Sequence, residues 1–342
     1  MLVHSQTEPT PQDMEPLQTL YKELLAPIKN KLEYVEEEIR RELHSDIEVI
    51  SRMSEYLART KGKRIRPALF LLCARLLGVK SDRDVALAAV IEFLHTATLI
   101  HDDIIDTADT RRGKATINAI WGNELTVLLG DYLYLRAMEI ALTPRQIEVL
   151  DILTEVTTKL IEGEMIQLAK RGDIGISEAE YMAIIQRKTA FLFSGCGRIP
   201  AVLADVPKAA AEAVSGYCFN LGISFQIVDD ILDFTGKSKV LGKPLAKDLS
   251  EGTVTLPVIY ALKKTAPDET ESIRTVMKEG CSTEDKRQQI LHILKKYGAL
   301  DEARTVAEDY ASRAVTSLDA FPASDAKKTL ITLPALVIKR SY

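Results

Sequence analysis

Two short acidic clusters restrict this chain more than any other feature. Asp102, Asp103 and Asp106 close the stretch EFLHTATLIHDDIID, and Asp229, Asp230 and Asp233 close FQIVDDILD more than a hundred residues later. Both clusters have the pattern DDxxD, and each follows apolar sequence with helical character. On a helix, residues four apart share a face, so Asp102 stands beside Asp106 and Asp229 beside Asp233. Carboxylates so placed repel one another. A solvated acidic face tolerates that, but these clusters emerge at the ends of helices apolar enough to be buried. A hard cation resolves the conflict, because Mg²⁺ takes one or two carboxylates together with waters and phosphate oxygens rather than a full protein cage. Two such helices facing each other form two walls of one site.

The cations fall beside the acids. Lys63, Arg64 and Arg66 lie at a loop-to-helix junction, and Arg111 and Arg112 follow the first cluster. Lys188 sits in a helical stretch beside Thr189, and Lys237, Lys239, Lys243 and Lys247 follow the second cluster. Lysine and arginine are the natural partners of phosphate, arginine through its bidentate fork. Any one of them reads as a surface charge; their repeated placement beside aspartates reads as an anion site.

The rest of the chain supplies the frame. Apolar positions from Leu17 to Ile39 keep helical spacing with a charged opposite face, which predicts a long amphipathic outer helix. A helix over about 46–59 follows, then one over 68–77 that is apolar nearly all round and hence central, with Pro67 in its first turn. Ser81 or Asp82 caps the helix that runs through the first cluster to about Thr107. Further helices are expected at about 123–142, 144–170, 177–203 and 209–234, and four shorter ones close the chain after the glycine- and lysine-rich loop 236–252. No alternating stretch competes, so the fold class is all-α. Residues 1–15 read as a flexible tail and 16–342 as one domain, with no linker between the clusters.

A net charge of −5 argues against a nucleic-acid partner. The four cysteines, Cys73, Cys196, Cys218 and Cys281, have no ligand spacing and read as reduced thiols, which suits a cytoplasmic protein. No signal-peptide pattern opens the sequence, and the run 85–91 is too short to span a bilayer, so any membrane contact is expected to be peripheral.

The chain resembles the trans-isoprenyl diphosphate synthases over about 61–262. GKRIRP, HTATLIHDDIID, RRGKATIN, GDYLYLRA, RKTA, FQIVDDILDFTG and LGKPLAKDL occur in the family's order. The resemblance implies a bundle of long helices around a central cavity, a homodimer, and Mg²⁺ as cofactor, about three ions with substrate bound. It gives Asp102 and Asp106 as main metal ligands with Asp103 supporting, and Asp229 as ligand with Asp230 and Asp233 assisting. Lys63, Arg66, His95 and Arg112 resemble the pocket for isopentenyl diphosphate. Arg111, Lys188, Lys243 and Lys247 resemble contacts to the allylic diphosphate, and Thr189 and Gln226 point oxygen dipoles at the allylic carbon. The implied activity is successive condensation of isopentenyl diphosphate onto an allylic primer, in isoprenoid and quinone side-chain synthesis. Three positions depart from the family: Lys61 and Ala246 stand where glycine is common, and Thr253 where many members have lysine.

Short-chain members of that family place aromatics four or five residues before the first aspartate. Here those positions are Thr98 and Ala97, and the same face continues with Leu94, Ile91 and Val90. From Ala97 to the helix start is about 22 Å, room for roughly four or five units beyond a farnesyl tail. That points to a product near octaprenyl, with Tyr132, Met138 and the 68–77 helix as floor. Alternatives are a geranylgeranyl synthase, a terpene cyclase, which the second DDxxD disfavours, and a regulatory subunit, which typically lacks one acidic motif.

Overall fold

The structure, a computed structural model, describes residues 23–59, 62, 64–111, 113–236, 246–279 and 283–339. The expected tail lies outside the described residues. The outer helix expected from Leu17 is interrupted where it is described. Ala26–Ile28 winds as a tighter 3₁₀ turn at Pro27, whose ring removes a donor, and α1 then runs over Lys29–Glu42. α2 spans Glu48–Arg59, and α3 spans Ile65–Leu76. Every residue of α3 from Pro67 to Ala74 is buried, as expected of a helix apolar on all sides.

α4, Arg83–Ile105, carries the first cluster at its C-terminal end. Asp82 occupies the capping position without a side-chain cap bond; Ser81 Oγ accepts from the Arg83 N–H at 3.1 Å instead. Residues 87–94 are all buried. α4 is the only described helix long and apolar enough to cross a membrane, and most of its apolar stretch is packed inside the protein.

The Arg-Arg-Gly turn forms a small antiparallel ribbon, β1 (Thr110–Arg111) against β2 (Lys114–Ala115), which sequence periodicity did not reveal. Two residues per strand are too few to show alternation. α5 (Ile117–Trp121), α6 (Asn123–Leu142) and α7 (Ile147–Ala169) follow.

The single helix expected over 177–203 is three pieces: α8 (Glu178–Ile185), a π-helical segment Gln186–Ala190, and α9 (Phe191–Leu203). Then α10 (Lys208–Thr235) carries the second cluster. After the four-residue α11 (Lys247–Ser250), five helices rather than four follow among the described residues. They are α12 (Leu256–Leu262), α13 (Pro267–Glu279), α14 (Glu284–Lys296), α15 (Ala299–Thr316) and α16 (Asp325–Ile338). Gly298, at φ +65°, makes the break between α14 and α15 that the apolar pattern hid.

α4 packs mainly on α6, and α10 lies between α9 and α15, so the two acidic helices belong to one continuous buried cluster. Cys73, Cys196 and Cys218 are buried free thiols within it; Cys281 lies outside the described residues.

Candidate active site

The first cluster is built by helix termination. Asp102 is in the last turn of α4, and Asp106 caps it, its N–H donating to the Asp102 carbonyl at 2.8 Å. A helix C-terminus carries partial negative charge, so the fold collects anions where they are disfavoured. Burial, with Glu164 and Asp106 nearby, pushes the Asp102 carboxyl up to about 6 despite the attraction of Lys188. Asp103 is also raised by burial, against the pull of Arg111, whose Nε donates to its Oδ1 at 2.7 Å. Arg171 holds Asp106 at 2.9 Å.

The second cluster is divided by its surroundings. Asp229 remains partly exposed, whereas Asp230 and Asp233 are 3% and 1% exposed. Asp230 accepts from Tyr181 Oη at 2.6 Å and from Gln226 Nε2 at 2.9 Å. Burial, with Asp248 and Asp229 adding to it, pushes the Asp230 carboxyl up to about 8 in spite of those bonds. A Ser177–Glu180 capping box starts α8 and so fixes Tyr181 just inside it. Asp233 Oδ2 accepts from the Asp248 N–H at 3.1 Å, and its carbonyl accepts from the Ala246 N–H at 2.8 Å. Asp229 and Asp233 thus share a helical row but not an environment.

The π segment stands between the two clusters. Lys188 Nζ pairs with Glu164 at 2.6 Å, and the charges of Asp102 and Glu164 raise its pKa against burial, which lowers it. The next residue reaches the other way: Thr189 Oγ1 donates to Gln226 Oε1 at 2.7 Å. Two glycines allow the backbone to sit there. A Cβ on Gly163 of α7 would lie 2.6 Å from the Lys188 nitrogen, and one on Gly222 of α10 would lie 2.8 Å from the Ala190 Cα. An extra residue in a helical turn, as in a π segment, is a recurrent feature of functional sites.

Other candidates fall on either side. His95 lines a cavity of about 100 Å³ with Asp103, Arg111, Arg64 and Glu92. Arg64, at φ +51°, is occupied by Glu36 at 2.5 Å and Glu92 at 2.6 Å. The Arg66 guanidinium lies 5.0 Å from the Phe193 ring centroid. Lys247 pairs with Glu251 at 2.9 Å. Lys63, Arg112, Lys243 and Lys61 lie outside the described residues. Ala97, Leu94 and Ile91 are buried, and Thr98 donates to the His95 carbonyl at 2.8 Å.

Sequence reasoning missed Glu164, Arg171 and Tyr181. For Glu164 there was a signal, a glycine interrupting the middle of an apolar helix just before a charge. Arg171 and Tyr181 meet their aspartates only through the tertiary fold.

The donor set fits a divalent cation shared with a phosphate. It consists of carboxylate oxygens, and burial raises Asp102 and Asp103 against the pull of neighbouring cations. Among the described residues, no three metal-ligating groups converge enough to hold an ion alone. Asp102, Asp106 and Asp229 could contribute carboxylate oxygens to such an ion, with phosphate oxygens completing the shell.

A family model described as polyprenyl synthetase matches residues 47–294. The octaprenyl diphosphate synthase of Haemophilus influenzae is 37% identical over 311 residues, covering 91% of this chain and 94% of that protein. The all-trans-nonaprenyl-diphosphate synthase of Rhodobacter capsulatus is 34% identical over 319 residues, covering 93% and 97%. A polyprenyl synthase from Caulobacter crescentus, solved in complex with calcium and isoprenyl diphosphate, matches with a TM-score of 0.89 and 37% identity, covering 93% of this chain and 97% of that one. Matching sequence, helical architecture and paired acidic helices agree: the chain belongs to the polyprenyl synthetase family and is a prenyltransferase with the isoprenoid synthase fold.

Proposed function

We propose that this prenyltransferase makes a long-chain product. It elongates an allylic diphosphate, farnesyl diphosphate, by successive trans condensations with isopentenyl diphosphate to about eight isoprene units. The observation that carries the chemistry is the placement of Lys188 and Thr189, adjacent residues turned toward opposite acidic helices. The octaprenyl and nonaprenyl products named for the relatives support the chain length, as do the small Ala97 and Thr98.

Bound Mg²⁺ supplies charge neutralisation for the diphosphate leaving group. Lys188 adds a fixed positive charge beside Asp102, and Lys247 another near Asp103, both favouring the diphosphate as its C–O bond breaks. Gln226 and Thr189 present fixed oxygen dipoles to the allylic carbon, held in place by Asp230 and Tyr181. The second substrate's diphosphate binds near His95 and Arg66, so its double bond meets that carbon and forms the new C–C bond. The proton lost as the alkene re-forms passes to the departing diphosphate.

Exposed Leu128 and Leu135 on α6 and Ile161 and Met165 on α7 offer an apolar face for a second copy, which supports a homodimer. The cytoplasm is the expected compartment, with peripheral membrane contact for product release.

The test is a Mg²⁺-dependent assay of the purified protein with farnesyl diphosphate and labelled isopentenyl diphosphate, resolving products by length. A ladder ending near eight units supports the reading. A stop at four units moves the floor up to the Leu94 region. No incorporation by folded protein points to a required second component.

A further inference from the structure

Arg171 has no part in the functional reading given so far, yet it holds one of the carboxylates that reading needs. It lies in the turn after α7, its own N–H bonded to the Leu168 carbonyl at 3.2 Å. Gly172 N–H donates to the Gly252 carbonyl at 2.8 Å, which ties this turn to the one that follows α11. Both glycines are left-handed, at φ +83° and +80°. A Cβ on Gly252 would lie 3.0 Å from Arg171 Cγ, so the arginine stem passes directly over that glycine. From there its Nη2 donates to Asp106 Oδ1 at 2.9 Å.

Three segments remote in sequence therefore meet at this one ion pair, and the side chains forming it are 35% and 22% exposed. A pair so placed is weak, because water and salt screen it and two side chains are immobilised for a single contact. A divalent cation at the Asp106 carboxylate would face the guanidinium at like-charge distance. Arginine and metal therefore weaken each other's hold on that carboxylate.

We infer that Arg171 is an internal competitor for the metal site: it pairs with Asp106 and so sets how much cation is needed to displace it. The inference rests on the reading of Asp106 as a metal ligand. Its neighbours are consistent with exchange. The charge of Asp106 also acts on Glu251, which Lys247 holds, so a second cation stands ready beside the same acids when Arg171 lets go.

The experiment is titration of the full-length, metal-free protein with Mn²⁺, read by the paramagnetic resonance signal of the unbound ion, alone and with inorganic diphosphate. Arg171→Gln should tighten Mn²⁺ binding by roughly twofold to fivefold, the range expected when an exposed ion pair no longer competes. Arg171→Lys, which keeps the charge, should stay near wild type, and circular dichroism confirms that both variants are folded. Equal affinity for wild type and Arg171→Gln in both titrations would overturn the inference while leaving the metal site intact. No Mn²⁺ binding by wild type in either titration would overturn both.

Discussion

Gly222 of α10 lies against Ala190 of the π segment so closely that a Cβ added to the glycine would stand 2.8 Å from the Ala190 Cα and 2.9 Å from the Phe193 Cβ. The helix that carries the second acidic cluster and the segment that carries Lys188 and Thr189 therefore touch backbone to backbone. Gly222→Ala gains about 1 kcal/mol of helix propensity but overpacks a contact with no flexible side chain to yield, at a cost of about 1–3 kcal/mol. The expected result is a less stable protein in urea unfolding and a slower single-turnover rate, because Thr189 and Gln226 are pushed apart. Unchanged turnover would mean that their hydrogen bond does not matter to the reaction.

The two adjacent aspartates of the second cluster should behave differently. Asp229→Asn should lower turnover by about a hundredfold or more while leaving stability within about 0.5 kcal/mol. Asp230→Ala should lower both, since it strands the buried Tyr181 hydroxyl and the Gln226 amide at about 1–3 kcal/mol for each unmet partner. Equal loss of stability in both variants, measured by denaturant titration, would contradict the division seen here.

Asp102 links metal and proton. Its folded-state pKa is raised from 3.8 to about 6, so protonation favours the folded, metal-free protein. That stabilising contribution is fully present below about 3.8 and is lost as the pH rises through about 6. A cation must displace the same proton, so its affinity should fall as the pH drops below about 6, by up to roughly tenfold per unit. Asp102→Asn should remove this component from a melting-temperature profile. A profile identical to wild type between pH 4 and 7 (a range on the order of the two pKa values) would show that the group is not raised.

Ala246 is buried and left-handed, at φ +54°, where an L side chain is strained by about 1–2 kcal/mol. Ala246→Gly relieves the strain and loses about 0.4–1 kcal/mol through the freer unfolded chain. A small rise in thermal midpoint is expected, whereas a buried alanine in a helix would show a fall.

Ala97→Phe should shorten the product, as read by chain-length chromatography. An unchanged ladder would place the growing tail elsewhere than along the Ala97–Leu94–Ile91 face.

Much of this was legible in the sequence because the clusters are local. The pairing of Asp102 with Asp106 and of Asp229 with Asp233 follows from helical spacing, and the burial of α3 from its apolar residues on every side; the choice of Asp229 over Asp233 came from the family resemblance. The π segment was not legible, because RKTA reads as ordinary helix; the close backbone approaches around it are permitted by Gly163 and Gly222 on two other helices. Nor was the inward turn of Asp230 and Asp233, which depends on Tyr181 and on the backbone at 246–248. DDxxD looks symmetrical in the two clusters. The partners supplied by the rest of the fold make the second one asymmetrical.

The π segment also constrains insertion and deletion. A π turn is an α turn with one residue added, and one residue is about 100° of helical rotation. Deleting any single position in 186–190 would let the helix close into regular α geometry. Phe193 and the glycine faces of α9 would keep their orientation against α10, because the π turn already absorbs that extra residue, but Lys188 and Thr189 would lose the backbone positions that turn them toward opposite helices. This stretch therefore tolerates exchange of side chains far better than any change in its length.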